Sequence, residues 1–149
     1  DGLVFFREHR IRFQQELARK GRGLPKSIDK RLDLFCEKLE TLLDLGDEKP
    51  ALLHGDLWSG NYFASHDQVP YIFDPAVYFG LREADLAMTE MFGRLPEEFY
   101  SAYHEVFPTQ PGYTERKDLY NLYHLLNHYN LFGGSYLEQA DRIVRGFLD

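Results

Sequence analysis

The segment His54-Gly55-Asp56-Leu57-Trp58-Ser59-Gly60-Asn61, together with the Asp74 that closes an apolar run, constrains this chain more than any other feature. Two β-prone stretches, Tyr62 to Ala64 and Val69 to Phe73, lie between Asn61 and Asp74 and flank the turn-forming Ser65-His66-Asp67-Gln68. That pattern predicts a β-hairpin. A hairpin here brings Asn61, just before its first strand, back beside Asp74, just after its second. Pro75 cannot donate to a strand ladder and so favours ending the strand there, which leaves the Asp74 carboxylate at a strand end, where ligands commonly sit. Ala51 to Leu53 is a short apolar approach to the loop.

The remainder reads as helical. Leu3, Phe6, Phe13 and Leu17 fall on one face of a first helix that Gly21 to Pro25 ends. In a second helix Ile28, Leu32, Phe35, Leu39 and Leu42 form a stripe, Ser27 is the expected N-cap, and Gly46 and Pro50 close it. Cys36 lies beside that stripe and is expected to be an inert, packed thiol. Beyond Gly80, helices are predicted from about Ala84 to Phe92, Pro96 to Val106, Thr114 to Leu131 and Ser135 to Phe147. Pro96 suits a first helical position, and Ser135 with Glu138 fits a capping box. With no repeats, low-complexity tracts or linker, the expected architecture is one domain over residues 1–149, mainly α with a small β-hairpin at its site (an α+β arrangement).

Composition narrows the partners. A net charge of -7 repels phosphate backbones, and the Lys/Arg clusters, such as Arg19 to Arg22, are short and lack interleaved stacking aromatics, so nucleic acid is not expected. The apolar runs fall far short of the roughly twenty residues that cross a bilayer, and no secretory leader pattern is visible, so no membrane partner is expected either. A single Cys excludes an internal disulfide and is compatible with a reducing, cytoplasmic setting.

An Asp and an Asn five positions apart on one loop, with a second Asp on the neighbouring strand, suit phosphoryl transfer. That chemistry needs an oriented acceptor hydroxyl and positive charge opposite the phosphoryl oxygens. Asp56 can hydrogen-bond the hydroxyl and take its proton. Asn61 and Asp74 offer hard oxygens to Mg2+, and the neutral amide adds a ligand without another anion beside ATP. Gly55 and Gly60 keep bulk out of the loop and permit backbone angles that side chains resist. His54 is expected to orient the loop through its ring rather than to shuttle protons. His124 and His128, spaced i, i+4, lack the Glu of a HExxH zinc motif and an evident third ligand, and are expected to pack near the acceptor cleft. A metal-dependent hydrolase using His54, Asp56 and Asp74 would instead bind its metal tightly without nucleotide.

The blocks ALLHGDLWSGN, YIFDPAVYFG, DLAMTEMFG, FYSAYHEVFP and LYHLLNHYNLFG closely resemble the fructosamine (ketosamine) kinase family, within the aminoglycoside and choline kinase-like group. The resemblance covers nearly the whole chain, with Trp58 and the stretch Phe73 to Ala76 as its most specific marks. It implies the C-terminal lobe of a protein kinase-like fold and ATP-dependent phosphorylation of the 3-hydroxyl of a ketosamine, a fructosamine or ribulosamine adduct that is free or on protein lysine; the phosphorylated adduct then decomposes and frees the amine. It also implies Asp56 as base, Asn61 and Asp74 as magnesium ligands, Trp58 facing the sugar, His54 and Gly55 shaping the loop, and Asp85 bracing it. From position alone Asp85 reads first as an N-terminal helix anchor. No GxGxxG or GxxxxGK[ST] run occurs, no strand Lys precedes His54, and the chain begins at Asp1. The ATP-gripping lobe is therefore expected outside this sequence, and the fragment alone is expected to be inactive. Another small-molecule kinase of the same group, or a non-catalytic binding fragment, are the alternatives.

Overall fold

A computed structural model describes residues 1–44 and 48–148. The chain opens with one long helix in three parts: α1 (Gly2–Phe5), a π-helical segment (Phe6–Arg12) and α2 (Phe13–Lys20). Its N-terminus is capped by Asp1, whose carboxylate accepts from the amide of Leu3 at 2.9 Å. The π segment corrects the expected apolar stripe. Its turns contain more residues than the 3.6 of an α-helix, so the side-chain phase rotates across it. Phe6 and Ile11 are buried as the core requires, but Phe13 and Leu17 emerge at 54% and 42% exposure, and Gln14, Gln15 and Ala18 turn inward in their place. The two inward amides are satisfied: Gln15 Nε2 donates to Asp29 Oδ1 (2.7 Å) and Asp33 Oδ1 (3.0 Å), and Gln14 Oε1 accepts from Asn130 Nδ2 (2.8 Å).

Helix α3 (Lys26–Leu43) buries Leu32, Phe35, Cys36, Leu39 and Leu43, close to the expected stripe. Burial pushes the Cys36 thiol up to about 11, which keeps it protonated and unreactive. Pro25 occupies the N-cap, so Ser27 falls inside the first turn and does not cap it. The helix ends at Asp44, in the left-handed conformation at φ 37°, and the expected stop at Gly46 lies outside the described residues.

The expected hairpin forms from β2 (Tyr62–Ala64) and β3 (Pro70–Ile72), antiparallel with Tyr62 opposite Ile72. A second pair was not anticipated: β1 (Ala51–Leu53) aligns with β4 (Tyr78–Gly80), Ala51 opposite Gly80. Together the two ribbons frame the motif loop. Helices α4 (Glu83–Met91), α5 (Glu97–Val106), α6 (Tyr113–Phe132) and α7 (Tyr136–Leu148) complete a mainly helical domain, each within a residue or so of expectation. Pro96 is the N-cap of α5 rather than its first helical residue. At α7, Ser135 Oγ accepts from Gln139 Nε2 at 3.3 Å, so Gln139 rather than Glu138 partners that hydroxyl.

Helix α6 is the central pillar, packing on α2, α4 and α7, and Leu119, Tyr120, Leu122 and Leu126 supply fully buried contacts. One polar knot fixes α4 against it. The Glu83 carboxylate, fully buried, accepts from Arg116 Nε (2.9 Å) and Nη2 (2.8 Å), from the Tyr120 hydroxyl (2.9 Å) and from the Gln110 amide (2.9 Å). A buried carboxylate with four donors is tolerated where an unpaired one would not be. The knot fixes the start of α4, where Asp85 lies two residues further on.

Candidate active site

The motif loop leaves β1 at Leu53 and is held from both sides. Asp85 on α4 grips its start: Oδ2 accepts from the His54 amide at 2.7 Å and Oδ1 from the Gly55 amide at 2.9 Å. Arg82 occupies the N-cap position without a side-chain capping bond, and the Asp85 carboxylate is spent on the loop rather than on the start of its own helix. Burial raises the Asp85 carboxyl above the ordinary carboxylate value, and the two amide bonds pull in the opposite direction.

His54 ties the loop to the approach to Asp74. Its Nε2 lies 3.0 Å from the Phe73 carbonyl, which can only accept, and its Nδ1 lies 3.3 Å from the Asp56 amide, which can only donate. The ring therefore carries its hydrogen on Nε2 and presents a lone pair at Nδ1. The Ala76 amide adds a backbone bond to the His54 carbonyl at 2.8 Å.

That bond explains Gly55. At φ 83° the residue occupies the left-handed region, and a Cβ there would collide with the Ala76 carbonyl. Gly55→Ala is expected to destabilise the full-length protein by roughly 2 kcal/mol or more, from left-handed strain and that clash. A urea midpoint unchanged from the parent would show that the loop has another way to pass Ala76. Gly60 serves Trp58 instead, because a Cβ at Gly60 would occupy the space of the indole ring. The ring meets Phe92 edge-on at 6.2 Å.

Asn61, 6% exposed, folds back on the loop: Nδ2 donates to the Asp56 carbonyl (2.9 Å) and to Asp56 Oδ2 (3.1 Å). Two oxygens, Asp56 Oδ1 and Asn61 Oδ1, have no hydrogen-bond partner among the described residues. The Phe73 amide donates to the Asn61 carbonyl at 3.1 Å, so the hairpin closes Asn61 against the segment that carries Asp74. Asp74 is exposed, in the left-handed conformation at φ 55°, and among the described residues nothing binds its carboxylate. This donor set, one amide oxygen and one open carboxylate, suits a hard cation that retains water and phosphate ligands.

A cavity of about 520 Å³ opens beside the loop, lined by Asp56, Trp58, Phe92, Tyr123 and His128 among others. It lies within the range of roughly 300–1,000 Å³ typical of small-molecule sites. Neither Asn61 nor Asp74 lines it. Asp56 thus stands between two regions, an aromatic cavity on one side and a pair of hard-oxygen donors on the other. A larger cavity of about 730 Å³ between α4, α5 and the start of α6 contains none of the motif residues, so size alone does not mark the site. His124 and His128 both line the aromatic cavity. Burial, with Arg10 and His128 nearby, pushes His124 down to about 3, so it enters the cavity wall as a neutral ring. His128 Nδ1 donates to the His124 carbonyl at 2.7 Å.

Sequence reasoning missed Arg10, which comes from the π segment to line the same wall and packs over Tyr78 (4.0 Å) and Tyr123 (4.4 Å). No local motif announces it.

A loop carboxylate facing a cavity, an amide tied to it and an open carboxylate across a hairpin are groups of the kind that phosphoryl transfer uses. The sequence profile of the fructosamine kinase family matches residues 2–149, and the chain belongs to that family. It is 49% identical over 142 residues to a probable ketoamine kinase of Synechocystis sp., covering 95% of this chain and 46% of that protein. It is 45% identical over 148 residues to a chloroplastic protein-ribulosamine 3-kinase of Oryza sativa subsp. indica, covering 99% and 43%. A candidate fructosamine-3-kinase crystal structure from Thermobifida fusca superposes with a TM-score of 0.88 at 35% identity, over 98% of this chain and 50% of that one. The chain spans about half the length of the curated relatives it matches. No helix among the described residues is long and apolar enough to cross a membrane.

Proposed function

We propose that this chain is the catalytic, C-terminal lobe of an ATP-dependent kinase that phosphorylates the 3-hydroxyl of ketosamines, fructosamine or ribulosamine adducts of amines, in a cytoplasmic deglycation reaction. The observation that carries the reading is the position of Asp56, between an aromatic cavity sized for a small acceptor and the free oxygens of Asn61 and Asp74. Family membership and the names of the relatives support the substrate class.

In this reading the sugar enters the cavity with Trp58 along it, the indole face against sugar C–H groups. The 3-hydroxyl hydrogen-bonds Asp56 Oδ1, the carboxylate oxygen that Asn61 leaves free. The hydroxyl oxygen bonds to the γ-phosphorus of ATP as the bridging bond to the β-phosphate breaks, and its proton passes to Asp56. Asn61 Oδ1 and the Asp74 carboxylate would hold magnesium, which supplies charge compensation to the phosphoryl oxygens when bound. Asp85 and His54 hold the loop, and Gly55 and Gly60 let it pass. The remainder of the protein supplies the grip on the α- and β-phosphates. Leu52, Phe63, Ile72, Phe73, Val77 and Phe79, each 45–66% exposed on the two ribbons, offer an apolar face on which that lobe packs.

Full-length protein given ATP, magnesium and a fructosamine is expected to release one ADP per sugar phosphorylated at O3, and to stop on chelation of the metal. No transfer to any ketosamine, alongside turnover of choline or an aminoglycoside, would assign the site to a different acceptor.

A further inference from the structure

Arg10 comes inward from the π segment, and no step of the proposed reaction uses it. Aromatic rings hold its guanidinium, Tyr78 at 4.0 Å, Tyr123 at 4.4 Å and Phe5 at 5.6 Å, and its Nε is buried without a hydrogen-bond partner. Among the described residues no carboxylate pairs with it directly; Glu8, on its own helix, is taken by Arg7 and Arg12. A cation withdrawn from water in this way is tolerated where an anion lies near enough for the low-dielectric interior to carry the attraction.

That anion is Asp85. Tyr78, against which the guanidinium packs, belongs to β4 beside the strand that enters the motif loop, and it lies within reach of both charges. At Asp85 itself burial raises the carboxyl, the Gly55 and His54 amides pull the other way, and the Arg10 charge acts with the amides. The titratable groups that share this corner are the His54 ring, the Tyr78 and Tyr123 phenols and His124, and none of them carries a permanent charge. On the same helix Glu83 is committed to Arg116, Tyr120 and Gln110. Arg10 is the permanent cation that reaches Asp85.

The charge state matters because both Asp85 oxygens are in use. Oδ2 accepts from the His54 amide at 2.7 Å and Oδ1 from the Gly55 amide at 2.9 Å. A proton on either oxygen sets a donor against a donor, and the loop that carries Asp56 loses one of two ties.

Resting on the ketosamine kinase reading for its catalytic consequence, we propose that Arg10 is a positioning residue, whose charge keeps Asp85 the anionic double acceptor that sets the motif loop and, through it, the Asp56 carboxylate.

The test uses Arg10→Gln in the full-length protein, alone and combined with Asp85→Asn. Without the cation, folded Asp85 holds its proton more tightly, further above the unfolded value than in the parent. Stability tied to that proton is lost as pH rises toward the folded value, so the variant's stability deficit against the parent should grow from acidic to neutral pH. Its kcat deficit should run the opposite way, widening as pH falls, with the acidic limb of the kcat profile moved up by about one pH unit. Both trends should vanish in the Asp85→Asn background, and Arg10→Lys, which keeps the charge, should show neither. Arg10→Met, flexible and apolar between the same rings, repeats the test where Arg10→Gln does not fold. Deficits that do not vary with pH would reduce Arg10 to a packing group and overturn the proposal. Trends that persist in the Asp85→Asn background would also overturn it, by moving the charge effect to Asp56, which shares the cavity wall. Failure of the parent to phosphorylate any ketosamine would remove the kinase reading, while the denaturant titrations would still decide whether Arg10 and Asp85 are coupled.

Discussion

Asp56→Asn in the full-length protein is expected to lower kcat at least a hundredfold, and up to about ten-thousandfold, the usual worth of a positioned general base. The geometry makes the substitution a clean one. Asn61 Nδ2 donates to Asp56 Oδ2 at 3.1 Å, and an amide oxygen at position 56 can still receive that bond. The new NH2 group then replaces Oδ1, the oxygen proposed to receive the acceptor hydroxyl, and cannot take a proton. Loop shape and thermal stability should therefore hardly change, and KM for ATP should move little because Asn61 and Asp74 are untouched. Steady-state kinetics with a ketosamine and ATP decide the matter. An unaffected kcat would remove Asp56 as base, and a rise confined to the sugar KM would recast it as a binding residue.

The part of this site that was legible in the sequence is the part carried by short-range pattern. Asn61 and Asp74 could be brought together on paper because a hairpin is a local object, and the bond from the Phe73 amide to the Asn61 carbonyl is its closing rung. The helical stripe of α3 was legible for the same reason. Phe13 and Leu17 were not, because the π segment changes the helical period before them and nothing in the residue types of Phe6 to Arg12 announces that change. Arg10 was missed with it, since its role depends on Tyr78 and Tyr123, far away in sequence. β4 was missed because a three-residue strand has no periodicity to read. Position suggested a helix anchor for Asp85 and the family resemblance a brace for the loop; its partners, backbone amides some thirty residues earlier, are set by the packing of α4 against the motif loop, which no local pattern encodes.

Asp85→Asn turns that last contact into the second large expected effect. Asp85 touches neither the cavity nor the proposed metal side and acts through the backbone of His54 and Gly55, so it is a positioning residue. An asparagine offers one oxygen to the two amides and sets its own NH2 against the other, so one loop bond is replaced by a donor facing a donor. A displacement of the Asp56 carboxylate by a fraction of an ångström is enough to lower kcat by about tenfold to a hundredfold. The pH dependence separates this from simple unfolding. Burial raises the folded-state value of Asp85 above that of the unfolded chain, so the folded state holds the proton more tightly. The stabilisation tied to that proton is fully present below the unfolded value and is lost as pH rises through the window up to the folded value. The variant lacks this titration. Its stability relative to the parent should thus improve as pH rises through that window, while its kcat at neutral pH remains depressed and KM for ATP is little changed. Denaturant titrations at acidic and neutral pH, paired with kinetics at neutral pH, test both halves. Loss of stability and activity in parallel at every pH would reduce Asp85 to a structural anchor, and full activity would mean that the loop keeps its geometry without the second bond.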